Sequence, residues 1–158
     1  MVADARHTNK ADEVDPREEE AISSLVFHLG RELRTALDRR LTGQGITSQQ
    51  AALLLLSRLL REPSPMQMAD RLGTDTAGMT RLLDRLETKG LVIRRMNAGD
   101  RRSVVVELGP KSKDLMPRLF PAFRQVNKGL LDGFEEVELK QLHRMLRRLL
   151  KNARNLNR

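Results

Sequence analysis

Five charged side chains gather around one short loop. Arg94 and Arg95 precede the polar segment 97–102, Arg101 and Arg102 close it, and Asp100 stands among them. Guanidinium groups match phosphate oxygens and suit a narrow, electronegative minor groove, so such a tip is fitted to a polyanion more than to a bare structural turn. An acid at that place would weaken the attraction unless it braced a neighbouring arginine, and an ion pair involving Asp100 is expected. Upstream, Thr76, Ala77, Thr80, Arg81, Asp84 and Arg85 fall opposite Met79, Leu82, Leu83 and Leu86 at helical spacing. Small residues near the start of such a helix admit it deep into a groove, while Thr and Arg offer donors and acceptors to base edges and phosphates. From Arg71 to Arg102 eight Lys and Arg oppose four Asp and Glu, a local charge of +4. A solvated helix face would account for the helix alone; it would not account for the arginine-tipped loop beside it.

Other chemistries lack their residues. The chain has no Cys, and His7, His28 and His143 are isolated from one another, so neither a thiolate site nor a metal-ligand spacing is present. Gly43 and Gly45 are too few and too early for a phosphate loop. With no paired nucleophile and base, the sequence reads as a non-enzyme needing no cofactor and no metal.

The charge is unevenly spread. Of the net +8, residues 1–20 contribute −4, from seven acids and three bases, leaving +12 for the rest. Nucleic acid is the leading explanation of that excess, an acidic membrane surface the second, and mere solubility the plain alternative. No apolar run approaches the roughly 20 residues that span a bilayer, and the first residues lack the apolar stretch of a signal peptide. A cytoplasmic protein without membrane contact is expected. At 158 residues and 39% hydrophobic content, one core is affordable and two are not.

These groups must be positioned by a mainly α fold with a small β-hairpin. Residues 1–16 have the composition of a disordered acidic tail. Ile22, Leu25, Val26, Leu29, Leu33, Ala36, Leu37 and Leu41 recur with helical period over 17–41. Thr47 with Gln50 and Ser64 with Gln67 are capping boxes, the second followed by Pro65, and they open two helices of which the first, apolar all round at Ala51–Leu56, should be central. Gly73 stops the shorter one, and Thr74 or Asp75 caps a third that ends at Gly90. The β-branched runs 91–96 and 103–108 then flank the charged loop as a hairpin. Two long helical patterns follow. The first contains Pro117 and Pro121, each of which removes a backbone hydrogen bond, so a kink or break is expected, more simply a fixed bend than a hinge. The bases Arg144, Arg147, Arg148, Lys151 and Arg154 lie on the outer side of the last.

The run Met79-Thr80-Arg81-Leu82-Leu83-Asp84-Arg85-Leu86-Glu87-Thr88-Lys89-Gly90-Leu91-Val92, followed by Asp100-Arg101-Arg102, resembles the core of the MarR (multiple antibiotic resistance regulator) family. That resemblance implies a single domain over 17–158, with a winged helix-turn-helix lobe at 47–108 and dimerisation helices at 17–41 and 110–155. It implies a homodimer on a pseudo-palindromic duplex DNA operator, acting as a repressor released by a small aromatic or phenolic ligand. The recognition helix would use Thr76, Ala77, Thr80, Arg81 and Arg85, and the wing Arg94, Arg95, Asp100, Arg101 and Arg102. Phe27, His28 and Arg31 are candidates for an effector pocket, a cation and an aromatic wall being suited to an aromatic acid. A winged-helix protein-interaction module without DNA specificity is the rival reading. The segments Leu108-Gly109-Pro110-Lys111-Ser112 and Gly133-Phe134-Glu135-Glu136 depart from the family pattern, so the ends of the last two helices should be capped differently.

Overall fold

The computed structural model describes residues 16–100 and 102–156; the acidic tail, apart from Pro16, and Arg101 lie outside them. Among the described residues the order is α1 Pro16–Arg40, α2 Ser48–Leu59, α3 Pro65–Leu72, α4 Thr76–Thr88, β1 Val92–Met96, β2 Val104–Leu108, α5 Ser112–Leu130 and α6 Glu136–Leu156. No described helix is long and apolar enough to cross a membrane.

Both capping boxes form. Thr47 Oγ1 accepts from the Gln50 N–H at 3.3 Å while Gln50 Oε1 accepts from the Thr47 N–H at 3.2 Å, and Ser64 and Gln67 repeat the exchange at 3.2 and 3.0 Å. The core gathers around α2, where Ala51, Leu53 and Leu54 are fully buried, and draws in Met68 of α3, Met79, Leu83 and Leu86 of α4, Val92 and Val106 of the hairpin, and Leu119 of α5. The hairpin is antiparallel with Val92 opposite Leu108 and Met96 opposite Val104. Two further bonds hold it: the Val106 N–H donates to the carbonyl of Pro63, in the loop between α2 and α3, at 2.9 Å, and across the base of the hairpin the Gly109 N–H donates to that of Leu91 at 2.8 Å. Gly109 is buried, and a Cβ there would run into the backbone carbonyl of Gly90, so this closure at the base of the wing demands glycine.

The expected break in α5 does not occur. The helix runs through Pro117 and Pro121, which are both exposed, while Leu115, Met116, Leu119, Ala122 and Val126 face the core. Four-residue spacing puts both prolines on one outer face, where solvent takes the carbonyls left without an N–H partner. Neither of the last two helices starts with a Ser or Thr cap. Lys111 precedes α5 with no side-chain cap, Ser112 Oγ donating back to the Gly109 carbonyl at 2.6 Å. Before α6, Glu138 Oε2 accepts from the Glu135 N–H at 2.8 Å, half of a capping box without a Ser or Thr.

Candidate nucleic-acid interface

The lobe builds its outer face from α3, a tight turn and α4. Gly73 ends α3 in the left-handed conformation at φ 62°, donating to Ala69, and the chain turns through Thr74 to Asp75. Asp75 is the cap, its carboxylate accepting from the Gly78 N–H at 2.5 Å. A Cβ on residue 78 would stand 2.7 Å from Asp75 Oδ1 and 2.5 Å from Thr74 Oγ1, so the glycine is what lets the cap close over the first turn. The buried side of α4 is Met79, Leu82, Leu83 and Leu86.

Opposite that side, Thr76, Ala77, Thr80, Arg81, Asp84 and Arg85 are exposed. Thr80 Oγ1 donates to the Thr76 carbonyl at 2.9 Å and keeps lone pairs outward. Arg81 and Arg85, with Thr74, Gly78, Leu82 and Gln49 from the first turn of α2, line a recess of about 190 Å³. Gln49 was not singled out from the sequence, and Thr74 only as a possible cap of α4, a place that Asp75 takes. The pointer to Gln49 was its place at a helix N-terminus, where backbone N–H groups favour an anion.

The wing arginines divide into two kinds. Arg94 is turned onto α4: its Nη2 donates to Asp84 Oδ1 and to Glu87 Oε2 at 2.6 Å each, its Nε to Glu87 Oε2 at 3.0 Å, and its backbone N–H to Glu87 Oε1 at 3.1 Å. The guanidinium hydrogen bond from Arg94, then its backbone N–H, hold the Glu87 carboxyl below its ordinary range against a small opposing effect of burial. Bonds to Glu87 and then Asp84 likewise raise the pKa of Arg94. Its charge is therefore met within the protein, and it sets the wing against α4. Asp84 and Glu87 stand three apart on one helix, but their role as partners of Arg94 was not read from the sequence. Arg95 meets Glu107 at 3.1 Å on the exposed hairpin surface. Among the described residues Arg81, Arg85 and Arg102 make no ion pair and leave their charges to the solvent side.

Asp100 folds the tip. Its Oδ1 accepts from the Arg102 backbone N–H at 3.0 Å, and its carbonyl accepts from the Ser103 N–H and Ser103 Oγ, each at 3.0 Å. The expected bracing is thus a turn bond to the backbone of Arg102 and not an ion pair with its guanidinium; Arg101 lies outside the described residues. At the other end of α4, Lys89 Nζ donates to the Gly45 carbonyl at 2.6 Å and to Gln50 Oε1 at 3.2 Å, tying that end to the loop before α2 and to α2 itself.

The candidate effector residues are not brought together into a cavity. Phe27 is 80% exposed, His28 is exposed, and Arg31 reaches only its neighbour Glu32 at 3.4 Å. The groove between α1 and α5, about 250 Å³, is lined instead by residues including Leu29, Leu33, Ala36, Arg40, Val126 and Leu130.

Residues 44–103 match the MarR family. Among solved structures, the transcriptional regulator PA3341 is 32% identical, with 85% of this chain and 98% of that one covered at a TM-score of 0.76. A mutant MarR from E. coli complexed with operator DNA is 24% identical over 87% and 99% of the two chains, at a TM-score of 0.73. CouR from Rhodococcus jostii bound to p-coumaroyl-CoA is 20% identical over 84% and 93%, at a TM-score of 0.75. The helix-turn-helix, its hairpin and these likenesses define a winged-helix transcription regulator. The chain belongs to the MarR family.

Proposed function

We propose that this protein is a homodimeric repressor that reads a pseudo-palindromic duplex operator with α4 and the wing. The observation that carries the reading is the Arg94 clamp, which fixes the hairpin to α4 while, among the described residues, Arg81, Arg85 and Arg102 make no ion pair. Thr76, Ala77, Thr80 and Arg81 are assigned to the major groove, Arg85 to the phosphate backbone, and Arg101 and Arg102 to the minor groove. Arg95 and Asp100 support the tip. The operator-bound E. coli MarR mutant lends the reading a precedent in the same fold.

The dimer would form through 17–41 and 110–155. Leu25 of α1 is 66% exposed, and α6 buries none of its side chains despite an apolar stripe at Leu142, Met145, Leu146, Leu149 and Leu150. A second copy removes that surface from water and sets two recognition helices about one duplex turn, roughly 34 Å, apart. Relief by an aromatic acid is proposed from the family and from a relative bound to p-coumaroyl-CoA. Because Phe27, His28 and Arg31 are exposed in one chain, they can enclose an effector only beneath a second copy. The test is duplex binding across a salt series: affinity should fall linearly on logarithmic axes as salt rises, with a preference for symmetric sites. Salt-independent or absent binding would favour a protein-interaction module.

A further inference from the structure

The last helix touches the DNA-reading lobe through an arginine near its end. Arg154 Nη2 lies 3.2 Å from Asp70 Oδ2 and donates to the Asp70 carbonyl at 3.3 Å, across 84 residues of sequence. That carbonyl belongs to the last turn of α3. The terminal carbonyls of a helix have no intrahelical partner, and a cation there also meets the negative end of the dipole. The neighbouring Ala69 carbonyl takes both the Gly73 and the Thr74 N–H, so the turn into α4 supplies its own closure at Ala69 while Arg154 supplies one at Asp70. Asp75, the cap of α4, follows directly. No α6 side chain is buried against the lobe, so this polar contact is not backed by core packing.

We propose that Arg154 is a positioning residue for the recognition helix: by closing the C-terminal end of α3 it fixes the turn 73–75 to the dimerisation arm, and so fixes where α4 stands relative to its copy. The inference rests on the reading of α4 as the DNA-reading helix. Arg154 stands at the edge of the basic side of α6, one helical turn beyond Leu150 of the apolar stripe, so dimer formation by the Arg154 variants is checked by sedimentation before the result is read.

Two measurements on the full chain test it, with sedimentation and circular dichroism confirming dimer and helix content. In the DNA-free protein, Arg154→Ala should speed amide exchange at Gly73 and Thr74 by about two- to fivefold, while Arg154→Lys keeps protection near that of the unaltered protein and Asp70→Asn, which retains the carbonyl, falls between. On a footprinted operator duplex and its derivatives with one base pair added or removed between half-sites, Arg154→Ala should lose about two- to fivefold of the spacing discrimination, and Arg154→Lys should keep it. Unchanged exchange in Arg154→Ala overturns the proposal, as does faster exchange with spacing discrimination intact. If the unaltered protein binds no duplex in a salt-dependent way, the DNA reading fails and the assignment to DNA positioning fails with it, whereas the exchange result still reports whether Arg154 holds α3.

Discussion

The lobe and the arm of this molecule treat their apolar residues in opposite ways. In the lobe, α4 buries Met79, Leu82, Leu83 and Leu86 against α2 and the hairpin, and its polar face is free for recognition. In the arm, α6 has an equally regular apolar stripe and buries none of it, and Ile22, Leu25, Val26 and Leu29 of α1 are each more than two-fifths exposed. One periodicity therefore has two destinations. Within the lobe it is satisfied by the same chain; within the arm the chain leaves it exposed, the surface that the proposed dimer would cover.

The contrast can be broken from either side. The largest effect should come from the lobe: Leu86→Ala, at a fully buried position, is expected to cost about 3 kcal/mol through lost transfer energy and an unfilled cavity, read as a shift of the denaturant midpoint. A loss below about 1 kcal/mol would mean that the core does not centre on α4. In the arm, Leu146→Glu with Leu149→Glu should leave thermal stability of the lobe nearly intact while sedimentation shows monomer, and operator affinity should fall at least about a hundredfold as two linked half-site contacts become one. A variant that still dimerises would remove α6 from the interface.

Smaller effects distinguish the two kinds of wing arginine. Arg102→Ala should weaken operator binding about tenfold and lower the magnitude of the salt slope by about one, with folding unchanged, because that guanidinium makes no ion pair among the described residues. Arg94 should behave in the reverse sense. Glu87→Gln removes a carboxylate that Arg94 grips but no DNA contact, and it is expected to cost stability by about 1 kcal/mol, the partly exposed pair being screened by solvent. The pH dependence has a definite sign. The folded pKa of Glu87 lies below its ordinary value of 4.5, so the contribution is complete above that value and is lost as pH falls through the folded pKa. Acid titration of the Glu87→Gln variant should lack that component; an identical acid limb in both proteins would dismiss the clamp.

What the sequence disclosed follows from the range of the interactions. Capping at Thr47–Gln50 and Ser64–Gln67 joins residues three apart, and the stripe of α4 is a matter of period, so both could be read along the chain. The family resemblance located the wing as well. Closures between distant segments could not be read: Arg94 on Asp84 and Glu87, Val106 on Pro63, Lys89 on Gly45 and Arg154 on Asp70 depend on how elements pack. Whether the prolines of α5 break the helix could not be read for a related reason. Their cost depends on whether the orphaned carbonyls face the core or the solvent, and burial is a tertiary property. Charge counting likewise treated four wing arginines alike, and only geometry separated the one that braces from the one that is free.

The most direct measurement of the central claim is a hydroxyl-radical footprint of the full chain on the duplex upstream of its own gene. The account predicts two symmetry-related protected patches about one helical turn apart, with minor-groove protection at the outer edges that disappears in Arg102→Ala. A single unsymmetric patch, or protection unchanged by that substitution, would contradict it.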